Sequence, residues 1–120
     1  MTLQVKRVYE DAAPGDGFRV LVDRLWPRGF HRDDPRVGRW LPNVAPSNEL
    51  RRWYGHDQAR FDEFARRYEQ ELSGGEQAAA FAELSGLVSA RPVTLVTATR
   101  EVGLSHLAVL GRLLDAAGSP

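Results

Sequence analysis

The chain has 120 residues and a mass of 13.4 kDa, the size of one domain, 1–120, able to bury a core unaided. Hydrophobic residues make up 42% and charged residues 27%, which excludes a disordered or low-complexity chain. There is no cysteine, which excludes a disulfide framework, a thiol nucleophile, a zinc ribbon and an iron–sulfur cluster, and the 16 basic and 16 acidic residues cancel. Charge is uneven along the chain. Residues 1–60 hold 11 basic and 8 acidic side chains, and residues 61–120 hold 5 and 8. Arg19 to Arg39 contains six Arg but also three Asp, so its surplus is too small for a dedicated nucleic-acid stripe.

In chain order, MTLQVKRVYE carries charge where a signal peptide needs an apolar stretch. No apolar run approaches the roughly 18 residues of a membrane span. The expectation is a cytoplasmic protein with no membrane partner. Residues 3–9 place Leu3, Val5, Val8 and Tyr9 in a strand-like pattern. DAAPGDG (11–17) is turn chemistry, and 18–23 reads as a second strand, stopped at Trp26-Pro27-Arg28-Gly29. Residues 30–46 hold Pro35, Pro42 and Pro46 and read as a long ordered loop with at most one helical turn.

Three helices follow. Ser47 caps 48–55, which Gly55 ends, and Asp57 caps the next. Phe61, Phe64, Ala65, Tyr68 and Leu72 share one helical face, and a third helix runs over 76–90. Residues 93–98 (VTLVTA) predict a central strand buried on both faces, and 104–117 a last helix. Long connections between strands favour parallel pairing. The fold class is a small α/β domain with a short, mainly parallel sheet covered by helices.

Three segments carry candidate chemistry. Asp23-Arg24-Leu25-Trp26-Pro27-Arg28-Gly29 lies beyond the carboxyl end of a strand, where open α/β sheets bind ligands. Arg24 and Arg28 flank a rigid turn and suit an anion; the competing reading is an Asp23–Arg pair with Trp26 packed as structure. Thr97-Ala98-Thr99-Arg100-Glu101, leading to Ser105-His106, joins the last strand to the last helix. A helix start favours an anion, the hydroxyls of Thr97 and Thr99 add donors, and His106 can act as acid, base or ligand. In 47–57, successive helical positions face different ways, so at most one of Arg51 and Arg52 points to a shared site, and His56-Asp57 either orients an imidazole or, the commoner case, is a cap with a solvated neighbour. Ser47, His106 and Asp23 compose a triad on paper, but no nucleophile elbow surrounds Ser47. His31, His56 and His106 are too dispersed for a metal motif, so no metal and no cofactor is expected.

KRVYE (6–10), DGFRVLVDRLWPRG (16–29), APSNELRRWYGHD (45–57), the F-x-x-F-x-x-x-Y-x-x-E-L run (61–72) and VTLVTATRE…SHLAVL (93–110) resemble the YeaO-like branch of the domain-of-unknown-function 488 family. The resemblance implies a compact α/β domain and carries no established activity with it. The family's Asp, Arg and Trp-Pro-Arg-Gly residues fall on Asp23, Arg24 and Trp26 to Gly29, and its middle serine and arginine on Ser47 and Arg51. Related branches tend to carry cysteine after the last strand; this chain has Thr97 there, so thiol chemistry does not transfer. The histidine survives, as His106.

The functional expectation is a small anionic ligand, a nucleotide or phosphate ester, bound at the strand carboxyl ends. Arg24, Arg28, Arg51, Ser47, Thr97 and Thr99 would hold it, with His106 and Asp23 as acid–base groups if there is a reaction. The alternatives are a plain interaction domain and a nucleic-acid-associated regulatory module. The sequence leaves open whether a reaction is catalysed, and it leaves the oligomeric state open.

Overall fold

The computed structural model describes residues 3–118. Strands β1 (Leu3–Arg7), β2 (Phe18–Leu21), β3 (Arg39–Trp40) and β4 (Val93–Thr97) form one sheet in the order β1-β4-β2-β3, with every pairing parallel. Helices α1 (Asn48–Tyr54), α2 (Phe61–Glu71) and α3 (Gly75–Ala90) lie between β3 and β4, and α4 (His106–Gly118) follows β4. The expected small parallel α/β fold is the fold observed.

β4 is central. Leu95 pairs with Val5 on one side and Val20 on the other, and all five β4 residues are buried. A strand covered on both faces reads as a continuous apolar run, which is why Val93-Thr94-Leu95-Val96-Thr97 was legible. Alternation then divides the core. Val20, Val22, Val93 and Leu95 meet Phe64, Tyr68, Leu84 and Leu110 of the helices. Leu21 and Val96 point the other way, to Val8, Val37 and the partly buried Trp26 and Phe30.

The second face carries no helix residue in its core. The long connection between β2 and β3 covers it instead, so helices cover one face only. Gly38, at φ 69°, lets that connection lie directly on β2: a Cβ there would collide with the Arg19 carbonyl. The same face buries charge under its cover. Asp16 is 3% exposed, accepts from Lys6 Nζ at 2.6 Å and lies 3.3 Å from Arg19 Nε.

The differences from expectation are mostly at ends. β1 stops at Arg7, β2 at Leu21 and β4 at Thr97, two, two and one residues early. The 30–46 segment contains β3 and a 3-10 turn, Pro42–Val44. A two-residue strand has no alternation to detect; it exists because Leu21 and Val20 offer it a ladder. Asp57 caps a 3-10 turn, Gln58–Arg60, that precedes α2, accepting from Ala59 N at 3.0 Å. Trp26, packed as structure in one of the two readings of its segment, is only partly buried, because it lies on the face that has loop cover. Among the described residues, no helix is long and apolar enough to cross a membrane.

Candidate functional site

Three parallel strands deliver their carboxyl ends to one side of the domain. Tyr9 follows β1, Asp23 to Arg28 follow β2, and Ala98 to Glu101 follow β4. With Arg51, Tyr54 and His56 from α1 and the turn after it, and Ser105 and His106 from the start of α4, they line a cleft of about 670 Å3. This is the place where an open parallel sheet exposes strand-end loops and helix starts together.

Asp23 forms the floor. Its Oδ1 accepts from the Thr97 hydroxyl at 2.6 Å and its Oδ2 from Ala98 N at 2.8 Å, so it ties the end of β2 to the end of β4. His106 Nε2 lies 3.2 Å from Asp23 Oδ1 and 2.9 Å from the Val22 carbonyl oxygen. Two acceptors around one ring nitrogen place a proton on Nε2. Burial acts to raise the Asp23 pKa. His106, the Ala98 N–H and the Thr97 hydroxyl together outweigh burial and hold it below the ordinary aspartate value.

The loop above this floor is held from two directions. Thr97 Oγ1 accepts from Thr99 N at 3.1 Å, and Arg7 Nε donates to the Thr99 carbonyl at 3.2 Å. At the helix start, Ser105 Oγ accepts from Leu107 N at 3.1 Å and donates to the Val102 carbonyl at 2.7 Å. Ser105 therefore caps α4 and leaves His106 in its first turn.

Four arginines surround the cleft: Arg24, Arg28, Arg51 and Arg100. Arg24 is partly spent, its Nε and Nη2 donating to the Pro46 and Ala45 carbonyls at 3.1 and 2.9 Å. Arg51 donates to the Asn48 side chain at 3.2 Å. Arg28 and Arg100 have no hydrogen-bond or ion-pair partner among the described residues. Elsewhere Arg36 pairs with Asp34, Arg39 with Glu83, and Arg66 and Arg67 with Glu63, while Arg7, Arg32, Arg52 and Arg91 are in no ion pair among the described residues. The acidic groups of the cleft are Asp23 and Glu101.

Of the residues singled out in the sequence, Asp23, Arg24, Arg28, Arg51, Thr99 and His106 line the one cleft. Ser47 and Thr97 do not. Ser47 caps α1, accepting from Leu50 N at 3.1 Å, and its hydroxyl donates to Glu71 Oε2 at 2.6 Å. Thr97 is fully buried and serves Asp23. The paper triad is not assembled, since the Ser47 hydroxyl is turned to Glu71. Tyr9 and His56 line the cleft without having been read as site residues. Tyr9 was placed inside β1, and only the early end of that strand frees it. His56 has φ 57°, a left-handed conformation that follows the Gly55 cap and has no signature of its own.

Fold and cleft together define a small parallel α/β domain with an arginine-lined pocket at its strand carboxyl ends. The chain belongs to the YeaO-like domain-of-unknown-function 488 family. The family profile described as "Inactive DUF488-N3 subclade" matches residues 2–119. The chain is 58% identical over 113 residues to an uncharacterized protein of Mycobacterium tuberculosis strain H37Rv, covering 94% of this chain and 93% of that one. An uncharacterized protein of Mycobacterium bovis gives the same figures. YeaO of Escherichia coli K12 is 36% identical over 110 residues, covering 92% of this chain and 94% of its own. No solved structure matches the chain.

Proposed function

We propose that this protein binds a small phosphate-bearing anion in the cleft and does not turn it over. The observation that carries the reading is the gathering of arginines at one concave place. Arg24, Arg28, Arg51 and Arg100 all line the cleft, and among the described residues none of them is in an ion pair. A guanidinium left without an acid at the mouth of a concave site is a donor fork held for an outside anion. The first turn of α4, capped by Ser105, adds a positive dipole end on the same side.

Binding in preference to turnover is supported by what Asp23 and His106 already do. Both Asp23 oxygens accept internal hydrogen bonds, and the Nε2 proton of His106 is held between Asp23 and Val22. They act as a latch that sets the cleft floor. The description of the matching subclade as inactive agrees with this. A second reading, acid–base hydrolysis of a phosphate ester, rests on the same carboxylate–imidazole contact, which is also the form of a catalytic pair.

Titrating inorganic phosphate into the protein, followed by the NMR signals of the His106 ring and the Arg28 and Arg100 side chains, tests the proposal. Saturable shifts of these signals at millimolar phosphate are expected. No shift at any of the three overturns it. Steady release of phosphate from an aryl phosphate, abolished by His106→Gln, would favour the second reading.

A further inference from the structure

We infer that the ligand is a nucleotide, its phosphate held by the cleft arginines and its base seated against Leu25 and Tyr9. This rests on the anion-binding reading and adds the chemistry of the ligand's other half.

Size is the first argument. A cleft of about 670 Å3 falls within the roughly 300–1,000 Å3 typical of sites for organic ligands, and phosphate alone would leave most of it to water. The second argument is an uncovered apolar surface in the cleft itself. Leu25 is 63% exposed and Tyr9 41%, and both line the cleft. Neither exposure helps the fold, because an apolar side chain on the rim of a domain gains nothing from water. Both gain from a flat ring laid over them.

Strand order supplies the geometry. Tyr9 follows β1 and Leu25 follows β2, and β4 lies between those strands. The two apolar groups thus come from strands that flank β4, and both line the cleft that the Ala98–Arg100 turn after β4 also lines. Tyr9 is braced, with Phe30 edge-on at 5.3 Å and the Arg7 guanidinium 4.8 Å from its ring centre. The turn that carries Leu25 is braced by Trp26, whose Nε1 donates to the Phe30 carbonyl at 2.8 Å. Arg28 lies on that same turn, and Arg100 on the turn after β4. One short stretch of the site thus offers an apolar seat for a ring and cations for the phosphate attached to it. A sugar phosphate lacking a base would set hydroxyls against Leu25 and leave Tyr9 uncovered.

The test is a calorimetric titration of the full chain with the four ribonucleoside 5′-monophosphates, ribose 5-phosphate and inorganic phosphate, each separately. At least one nucleotide is expected to bind ten-fold or more tighter than ribose 5-phosphate. In Leu25→Ser, that selectivity falls to within three-fold. The exposed position lets the variant fold, which an unchanged thermal midpoint verifies. If all four nucleotides bind no tighter than ribose 5-phosphate, the nucleotide inference is overturned while anion binding stands. If Leu25→Ser keeps the full selectivity, Leu25 is not the seat of the base and the inference also falls. If none of the six binds at millimolar concentration, both readings fall together.

Discussion

The carboxylate of Asp23 lies 3.2 Å from His106 Nε2 while its two oxygens also take the Thr97 hydroxyl and the Ala98 N–H. One side chain after β2 therefore holds the end of β4 and the first residue of α4. The floor of the cleft is a joint in the fold before it is anything else. Each element that meets there also supplies cleft residues, so the joint sets the distances between them.

Replacing Asp23 with Ala leaves the Thr97 hydroxyl and the Ala98 N–H without their acceptor in a partly buried place, and His106 Nε2 with the Val22 carbonyl alone. A loss of about 3 kcal/mol in chemical denaturation is expected. Asp23→Asn keeps the shape and one oxygen and should cost less. Equal stability of Asp23→Ala and the parent chain would show that the joint is not under load.

The same carboxylate gives a pH dependence of definite sign. The Asp23 pKa is lower folded than unfolded, as is that of Asp16, which Lys6 and the Ala13 N–H hold down. Such groups stabilise the fold fully above the unfolded value near ~3.9 and lose that contribution as pH falls through the folded value. Asp34 and Glu63, paired with Arg36 and with Arg66 and Arg67, are lowered to about 2. Stability should therefore decline from about pH 4 toward about pH 2, and Asp23→Asn should decline less steeply. Parallel profiles for the two proteins would contradict the assignment.

Ser47 shows how a site-like motif resolves into architecture. Glu71 accepts from Ser47 N at 2.9 Å and from Gln77 Nε2 at 3.0 Å through one oxygen, and from the Ser47 hydroxyl through the other. Ser47→Ala should cost roughly 1–2 kcal/mol, the usual range for a helix cap. Phosphate affinity should stay within two-fold, because the hydroxyl faces Glu71. A larger change in affinity would return Ser47 to the site.

How far the sequence could be read follows from the range of each interaction. β4 and α2 were legible because their burial is written as a run and as a period within a few residues. β3 was not, because two residues pair only where β2 already stands. The cleft positions of Arg24, Arg28 and His106 were legible from one rule, that strand ends and helix starts converge in a parallel sheet, and that of Arg51 from the family resemblance, which singles it out from Arg52. The commitments of those side chains were not. Nothing near Asp23 in the chain announces Thr97, Ala98 or His106, and nothing near Ser47 announces Glu71.

Trp26 bears on the loop-covered face. Its ring meets Trp40 edge-on at 5.5 Å and its N–H is spent on Phe30, but it is only partly buried. Trp26→Ala should cost about 2 kcal/mol, below the roughly 3–5 kcal/mol of a fully buried tryptophan. A loss above about 4 kcal/mol would mean that the β2–β3 connection carries more of the core than its partial burial indicates.

The arginines separate structure from binding. Arg24 joins the segment after β2 to the Ala45 and Pro46 carbonyls ahead of α1, so Arg24→Gln should destabilise by about 1–2 kcal/mol. Arg28 and Arg100 have no hydrogen-bond or ion-pair partner among the described residues, and Arg28→Gln and Arg100→Gln should stay within about 0.5 kcal/mol of the parent. Their effect should fall on the ligand. Each lost charge-assisted contact weakens phosphate binding by roughly 1–2 kcal/mol, about five- to thirty-fold, and makes what remains less sensitive to salt. Arg52 supplies the control. It is adjacent to Arg51 on α1, but successive helical residues face different ways and Arg52 does not line the cleft. Arg52→Gln should leave affinity unchanged. A uniform loss across Arg28, Arg100 and Arg52 would mean that phosphate answers to net charge and not to the cleft.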